Sequence, residues 1–149
     1  ETVRKLGWKP DVIHCQGWFT SLVPMYIKKL YAEDPLFEDV KVIYSVFDNS
    51  FKGKLSDSLT EKLLFENLEK SDVARVKNSN IDNLHKFAID YSDAVVQASP
   101  KMNKKVLSHI KSSGKPFMKY PGDEEYIDAY QDFYEQFIEQ EEEVALIEN

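Results

Sequence analysis

Three histidines, His14, His85 and His109, and a single cysteine, Cys15, are the obvious candidates for metal or nucleophile chemistry in this chain. No two histidines stand at H-x-x-x-H or another metal-ligand spacing, and one cysteine cannot complete a zinc set. A nucleophilic Cys15 would need a paired histidine, and the adjacent His14 points to the opposite face of a strand. Cys15 therefore reads as a small buried hydrophobe. Five glycines, at 7, 17, 53, 114 and 122, form neither a Walker loop nor G-x-G-x-x-G, and no G-x-S-x-G elbow is present. No catalytic residue, metal or cofactor is expected from these patterns. What remains is a polar and aromatic group: Gln16, Trp18, Thr20, Asp48, Asn49, Lys52 and Ser99. Amides and carboxylates beside an exposed Trp suit a sugar, because hydroxyls want paired donors and acceptors and a pyranose face stacks on a ring. The packing alternative makes Trp18 core, Asp48 an Asx-turn residue and Ser99 an N-cap. Both readings fit the residues.

Strand ends are what bring that group together. Val12–Cys15 reads as a first strand and Lys41–Phe47 as a second, whose near-continuous apolar run fits a strand covered on both faces. Ala94–Ala98 is a third. Helices are expected at Thr20–Ala32, Ser58–Leu68, Asp82–Tyr91 and from Ser99-Pro100 to about Lys111, the last opened by Ser and Pro. Glu69–Asn80 reads as a polar connector with little core. Glu1–Leu6 looks like the last turns of a helix stopped at Gly7. Strands alternating with helices imply right-handed β-α-β units and a parallel sheet, with ligands at the carboxyl ends of its strands. Whatever the chain binds should then lie near His14 to Thr20. Gly114–Gly122 reads as a break. Asp123 to about Glu143 is the clearest helix, with Tyr126, Ile127, Tyr130, Phe133, Tyr134, Phe137 and Ile138 as one stripe that packs on the sheet or a neighbouring domain. The acidic run Glu139–Glu143 is expected to be a solvated helix end.

The chain has 149 residues, the length of one domain with one modest core. Apolar residues at 42% and aromatics at 13% exclude a disordered chain. A net charge of −7 argues against nucleic acid, which needs clustered Lys and Arg. One cysteine excludes an intramolecular disulfide and fits a reducing compartment. No apolar run approaches the roughly 18 residues of a membrane span, and Glu1–Lys5 contains no signal-peptide core, so a cytoplasmic location is expected.

Three segments resemble the N-terminal domain of bacterial glycogen and plant starch synthases, retaining glycosyltransferases of the GT-B type (glycosyltransferase family 5). Pro10–Pro24, PDVIHCQGWFTSLVP, is similar to P-D-V-I-H-x-H-D-W-H-T-x-L-x-P. Lys41–Gly53, KVIYSVFDNSFKG, is similar to V-F-T-V-H-N-L-A-Y-Q-G. Asn83–Pro100, NLHKFAIDYSDAVVQASP, is similar to N-x-x-K-x-A-I-x-x-A-D-x-V-x-T-V-S-P. The resemblance covers roughly 10 to 110. It implies an α/β fold: a three-layer Rossmann-like half of a GT-B enzyme, a parallel sheet flanked by helices and incomplete at its N-terminus. Residues 1–115 would be the later half of that domain and 116–149 an aromatic amphipathic helix packed on it. The family's reaction is glucosyl transfer from ADP-glucose or UDP-glucose to an α-1,4-glucan, so an α-glucan or sugar nucleotide is the implied ligand, with Gln16, Trp18, Asp48 and Asn49 as substrate contacts.

Frame positions match (His14, Thr20, Pro24, Gly53, Lys86, Ala88, Asp93, Ser99, Pro100), but polar positions do not. The family's H-D-W-H is Gln16-Gly17-Trp18-Phe19 here, and the sugar-contacting His of the second segment is Phe47. The family's K-T-G-G-L loop and its second Rossmann-like domain do not occur in this sequence. The expectation is a synthase-like domain without activity as this chain alone. The alternative is a non-catalytic glucan- or protein-binding module derived from a glycosyltransferase. A three-stranded sheet would also expose an edge and an apolar face, to be covered by an associated N-terminal piece or a homodimer partner.

Overall fold

The computed structural model of the protein describes residues 2–49, 51–64 and 68–147, with side chains as far as 138. Four parallel strands form one sheet in sequence order: β1 (Val12–Gln16), β2 (Lys41–Val46), β3 (Ala94–Gln97) and β4 (Phe117–Met118). The fourth strand was not expected. It is two residues long and lies in the stretch between Gly114 and Pro121 that reads as a break, too short to leave a periodic signal.

Strands laid down in sequential order with right-handed crossovers send every crossover to the same face. The packing follows that rule. Ile27, then Ala88 and Ile89, then Val106 and Ile110 meet Cys15, Val42, Tyr44, Val46 and Val95 in one core cluster. Alternation along each strand leaves Val12, Ile43, Ala94, Val96 and Met118 on the other face. There α6 (Tyr126–Ile147) lays Phe133 and Phe137 across them. The apolar face expected to lie bare is thus covered by the chain's own last helix. Fold class and layers are those of a three-layer α/β sheet.

Helix α1 spans Thr2–Leu6 and ends at Gly7, whose φ of 60° reverses the chain as a C-terminal glycine does. The helix expected over Thr20–Ala32 is broken. A 3-10 turn at Trp18–Thr20 leads to α2 (Val23–Met25, with Pro24 in its first turn), which widens into a π-turn at Tyr26–Leu30. α3 is a short Leu59–Leu63; residues 65–67 of the helix expected over 58–68 lie outside the described residues. So do the side chains of the acidic run 139–143.

α4 (Ile81–Tyr91) is capped by Asn80, which accepts from the Asn83 N–H at 2.9 Å. α5 (Lys104–Ser113) is capped by Asn103, not Ser99: the helix starts four residues later than Ser99-Pro100 suggests. The connector expected to carry little core carries a good deal. Leu68, Val73 and Val76 are buried with Leu63, Leu84 and Phe87 in a second cluster under the long β2–α4 crossover. A short 3-10 segment at Ala74–Asn78, which has no amphipathic helical period to read, carries Val76 and is preceded directly by Val73.

Candidate functional site

The carboxyl ends of β1, β2 and β3 open into a cleft of about 920 Å³ roofed by the first half of α6. Gln16, Phe47 and Ala98 form its floor, each the residue at or just past a strand end. Tyr126, Tyr130 and Tyr134 come down from α6, and Tyr120 to Asp123 close one side. Its size is at the upper end of ordinary ligand sites.

The tyrosines of the stripe both pack and line the cleft: Tyr130 and Tyr134 lie against the same sheet cluster as Phe133 and Phe137. Phe133 and Phe137 are buried against mid-sheet side chains. Tyr130 and Tyr134 are half-buried and face the strand ends, while Tyr126 remains 51% exposed. Apolar periodicity alone describes both sets as packing.

His14 anchors the roof. Its Nδ1 lies 2.6 Å from Tyr134 Oη and its Nε2 2.6 Å from Ser45 Oγ. A neutral imidazole has one N–H and one lone pair, so one hydroxyl donates and the other accepts. Burial holds the ring neutral, its pKa pushed down to about 4. Cys15, one residue on, faces the crossover side; burial pushes its thiol up to about 11, so it stays protonated and is no nucleophile. Among the described residues no group of His, Cys, Asp or Glu is arranged to hold a metal ion.

The sequence-derived contacts divide. Gln16 is exposed and lines the cleft. Asp48 and Asn49 are exposed on the loop after β2. The Asp48 N–H donates to Ser99 Oγ at 2.9 Å, so Ser99 ties two strand-end loops together instead of opening a helix. Trp18 is half-buried, its ring edge-on to Phe51 at 4.9 Å between centroids and packed beside the second core cluster. Phe19 is the exposed aromatic of that turn, at 85%. Gly17 sits beneath Asn49 and Phe47 with φ 72° and ψ 175°. Asp93 holds the frame: its carboxylate accepts the Val42 N–H at 2.7 Å and pairs with Lys28 Nζ at 2.7 Å.

A parallel sheet whose crossovers share one face, with an open cleft at its strand ends, is an arrangement that many α/β proteins share, and comparison with known proteins narrows it to one family. The family profile of the starch synthase catalytic domain matches residues 1–116. The chain belongs to that family. Among its relatives, a glycogen synthase of Chlorobaculum parvum is 34% identical over 117 residues, 76% of this chain and 22% of that protein. One from Desulfitobacterium hafniense is 35% identical over 101 residues, 67% of this chain and 22% of the other. The fold matches the catalytic domain of starch synthase IV from Arabidopsis thaliana, solved bound to ADP and acarbose, with a TM-score of 0.58 and 21% identity over 80% of this chain and 26% of that one. The chain thus spans about a fifth of the length of the glycogen synthases it matches. The profile stops before β4 and α6, so the roof of the cleft is made of residues beyond it.

Proposed function

We propose that the chain is the glucan-facing part of a glycogen or starch synthase-like domain and does not transfer glucose by itself. The observation that carries this is the cleft's position: a family-matched sheet presents its strand ends to a wide opening with amide and aromatic walls. Transfer from a sugar nucleotide needs groups that stabilise the departing diphosphate. Among the described residues lining the cleft there is neither Lys nor Arg. Residues 1–115 serve as the later half of a GT-B N-terminal domain, and the segment after them adds β4 to its sheet and α6 as its covering helix. Gln16 contacts sugar hydroxyls from the floor, Asp48 and Asn49 from the rim, and Trp18 holds the loop's shape against Phe51.

The second reading, a non-catalytic glucan- or protein-binding module, is favoured by Gly17 and Phe47, which stand where the family has an acidic residue and a histidine. β1 pairs only with β2 among the described strands, so its outer edge is where an N-terminal segment or a second copy would add. Among the described residues no helix is long and apolar enough to cross a membrane. Electrophoresis through a glycogen-containing gel, beside a transfer assay with radiolabelled ADP-glucose, tests the proposal. Retarded migration without incorporation is expected. Measurable incorporation contradicts the inactive chain, and unretarded migration contradicts glucan binding.

A further inference from the structure

α5 and α6 cover opposite faces of the sheet, and they carry opposite charge. Between Ala94 and Gly122 the chain has six lysines and no Asp or Glu; from Asp123 to Asn149 it has eleven acidic residues and neither Lys nor Arg. Lys104 and Lys111 stand seven residues apart on the exposed side of α5, away from the buried Val106 and Ile110. Asp128 and Glu135 stand seven apart on the exposed side of α6, away from the buried Phe133 and Phe137. Seven residues make two helical turns, so each pair lies on one stripe about 10 Å long. Among the described residues, none of Lys104, Lys111 and Asp128 has an ion-pair partner. Beside the acids lie Ile127, 63% exposed, and Ile138, 39% exposed, eleven residues apart and so on one face.

From this arrangement we propose that the outer face of α6 docks the lysine face of α5 from a second copy of the chain, joining copies head to tail. Lysine suits a surface that is both acidic and apolar. Its ammonium reaches Asp128 or Glu135 while its four-carbon stem lies over Ile127 or Ile138. The equal spacing of the two pairs lets both ion pairs form in one register. Like faces do not self-associate: α6 against α6 sets carboxylates together with no cation between them, and α5 against α5 does the same with ammonium groups. Because the two helices cover opposite faces of one sheet, two copies cannot satisfy both contacts at once. Each added copy leaves one basic and one acidic face uncovered, so association is heterologous and open-ended. A contact built on exposed ion pairs is weak and sensitive to salt. The proposal does not depend on what the cleft binds.

Analytical ultracentrifugation of the full chain at about 20 mM and about 500 mM sodium chloride, which shortens the screening length roughly fivefold, tests this. At low salt the mean mass should rise with protein concentration beyond that of a dimer; at high salt it should stay at the monomer. Lys104→Gln with Lys111→Gln, and separately Asp128→Asn with Glu135→Gln, should each weaken association about tenfold, the worth of two exposed ion pairs. All four side chains are exposed, so the circular dichroism spectra should match the parent's. An equimolar mixture of the two double variants keeps one working contact, the intact α6 of one with the intact α5 of the other. That mixture should form dimers and nothing larger, at a concentration where each variant alone is monomeric. A parent chain that is monomeric at low salt overturns the proposal. Association that neither salt nor either double variant weakens also overturns it, and places the contact elsewhere, as at the outer edge of β1. So does a mixture that stays monomeric or grows past the dimer. The readout is mass, so a failure of glucan binding leaves this result standing, and the reverse holds as well.

Discussion

His14 and Tyr134, 120 residues apart in sequence, meet at 2.6 Å and join the first strand to the last helix. Burial against the sheet supplies most of the attachment of α6, through Phe133 and Phe137. The His14–Tyr134 contact fixes its rotation, and so which tyrosines face the cleft. Replacing Tyr134 by Phe keeps the ring and strands the His14 Nδ1. The expected cost is about 1–2 kcal/mol, read as a lower urea midpoint with an unchanged slope. Amide exchange should accelerate in α6 more than in the sheet. Equal exchange in both would show that the hydroxyl does not tether the helix.

Acid should weaken the fold earlier than carboxylate titration would. His85, buried with its Nδ1 2.8 Å from Tyr44 Oη, is held down to about 4 by burial, with Asp82 opposing. His14 is held down to a similar value, also by burial. A histidine whose folded pKa is depressed takes up its proton more readily when unfolded. Stability is then full above the unfolded value of 6.5, falls as pH drops through the window from 6.5 to about 4, and loses no more from these groups below it. At about 1.4 kcal/mol per pH unit, the buried His85 accounts for roughly 3 kcal/mol of that loss, and the half-buried His14 for less. Urea midpoints measured between pH 7 and pH 4 should show the slope. His85→Gln should remove the larger part of it, and an unaltered slope in that variant would place the proton uptake elsewhere.

The strands and α4 were legible because they carry strong local signals: near-continuous apolar runs at 41–47 and 94–98, and a three-four repeat at Leu84, Phe87, Ala88 and Tyr91. Fold family was legible from word-like motifs around His14, Lys86 and Ser99. β4 and the buried Val73–Val76 turn were not, since two residues of strand and five of 3-10 helix are set by tertiary packing and not by period. Ser99 misled because the same side chain that caps a helix can bridge two loops, and here the Asp48 N–H takes it. Gln16, read from its place at a strand end, lines the cleft. The stripe of α6 packs on the sheet as its period implies; that its tyrosines also line a cleft was not legible, because a helical stripe does not say where its neighbour sheet stops.

Lys115 is a second long-range tie. Its Nζ donates to the carbonyls of Ile89 at 2.6 Å and Asp90 at 2.8 Å, and to that of Ser92, closing the carboxyl end of α4 with a cation where the helix dipole favours one. Partial burial lowers its pKa despite Asp90 and Asp93 nearby. Lys115→Met retains the stem and deletes the donors. A loss of about 2 kcal/mol is expected for several charge-assisted bonds to half-buried carbonyls, seen as a lower denaturant midpoint and faster exchange at the end of α4. An unchanged midpoint would mean that water caps the helix as well as the ammonium does.

Gly17 holds the loop after β1 in a conformation that glycine adopts far more readily than other residues. Its φ of 72° with ψ of 175° belongs to a region that L-residues rarely adopt. The conformation is pinned from both sides: the Gly17 N–H donates to Ser45 O at 2.9 Å, and Thr20 Oγ1 donates to Gly17 O at 3.0 Å. Space is not the obstacle, for an added Cβ would meet Phe47 Cδ2 at 3.7 Å and Asn49 Nδ2 at 4.0 Å, both ordinary contacts. Gly17→Asp, which returns the family's acidic residue, should therefore cost about 1–3 kcal/mol through backbone strain. Gly17→Ala should cost nearly the same, because the penalty belongs to the backbone and not to the carboxylate. Thermal unfolding of the two variants beside the parent checks this, with both midpoints lowered together. A stable Gly17→Asp would mean that the loop relaxes to an ordinary conformation, and that glycine stands there for some reason other than shape.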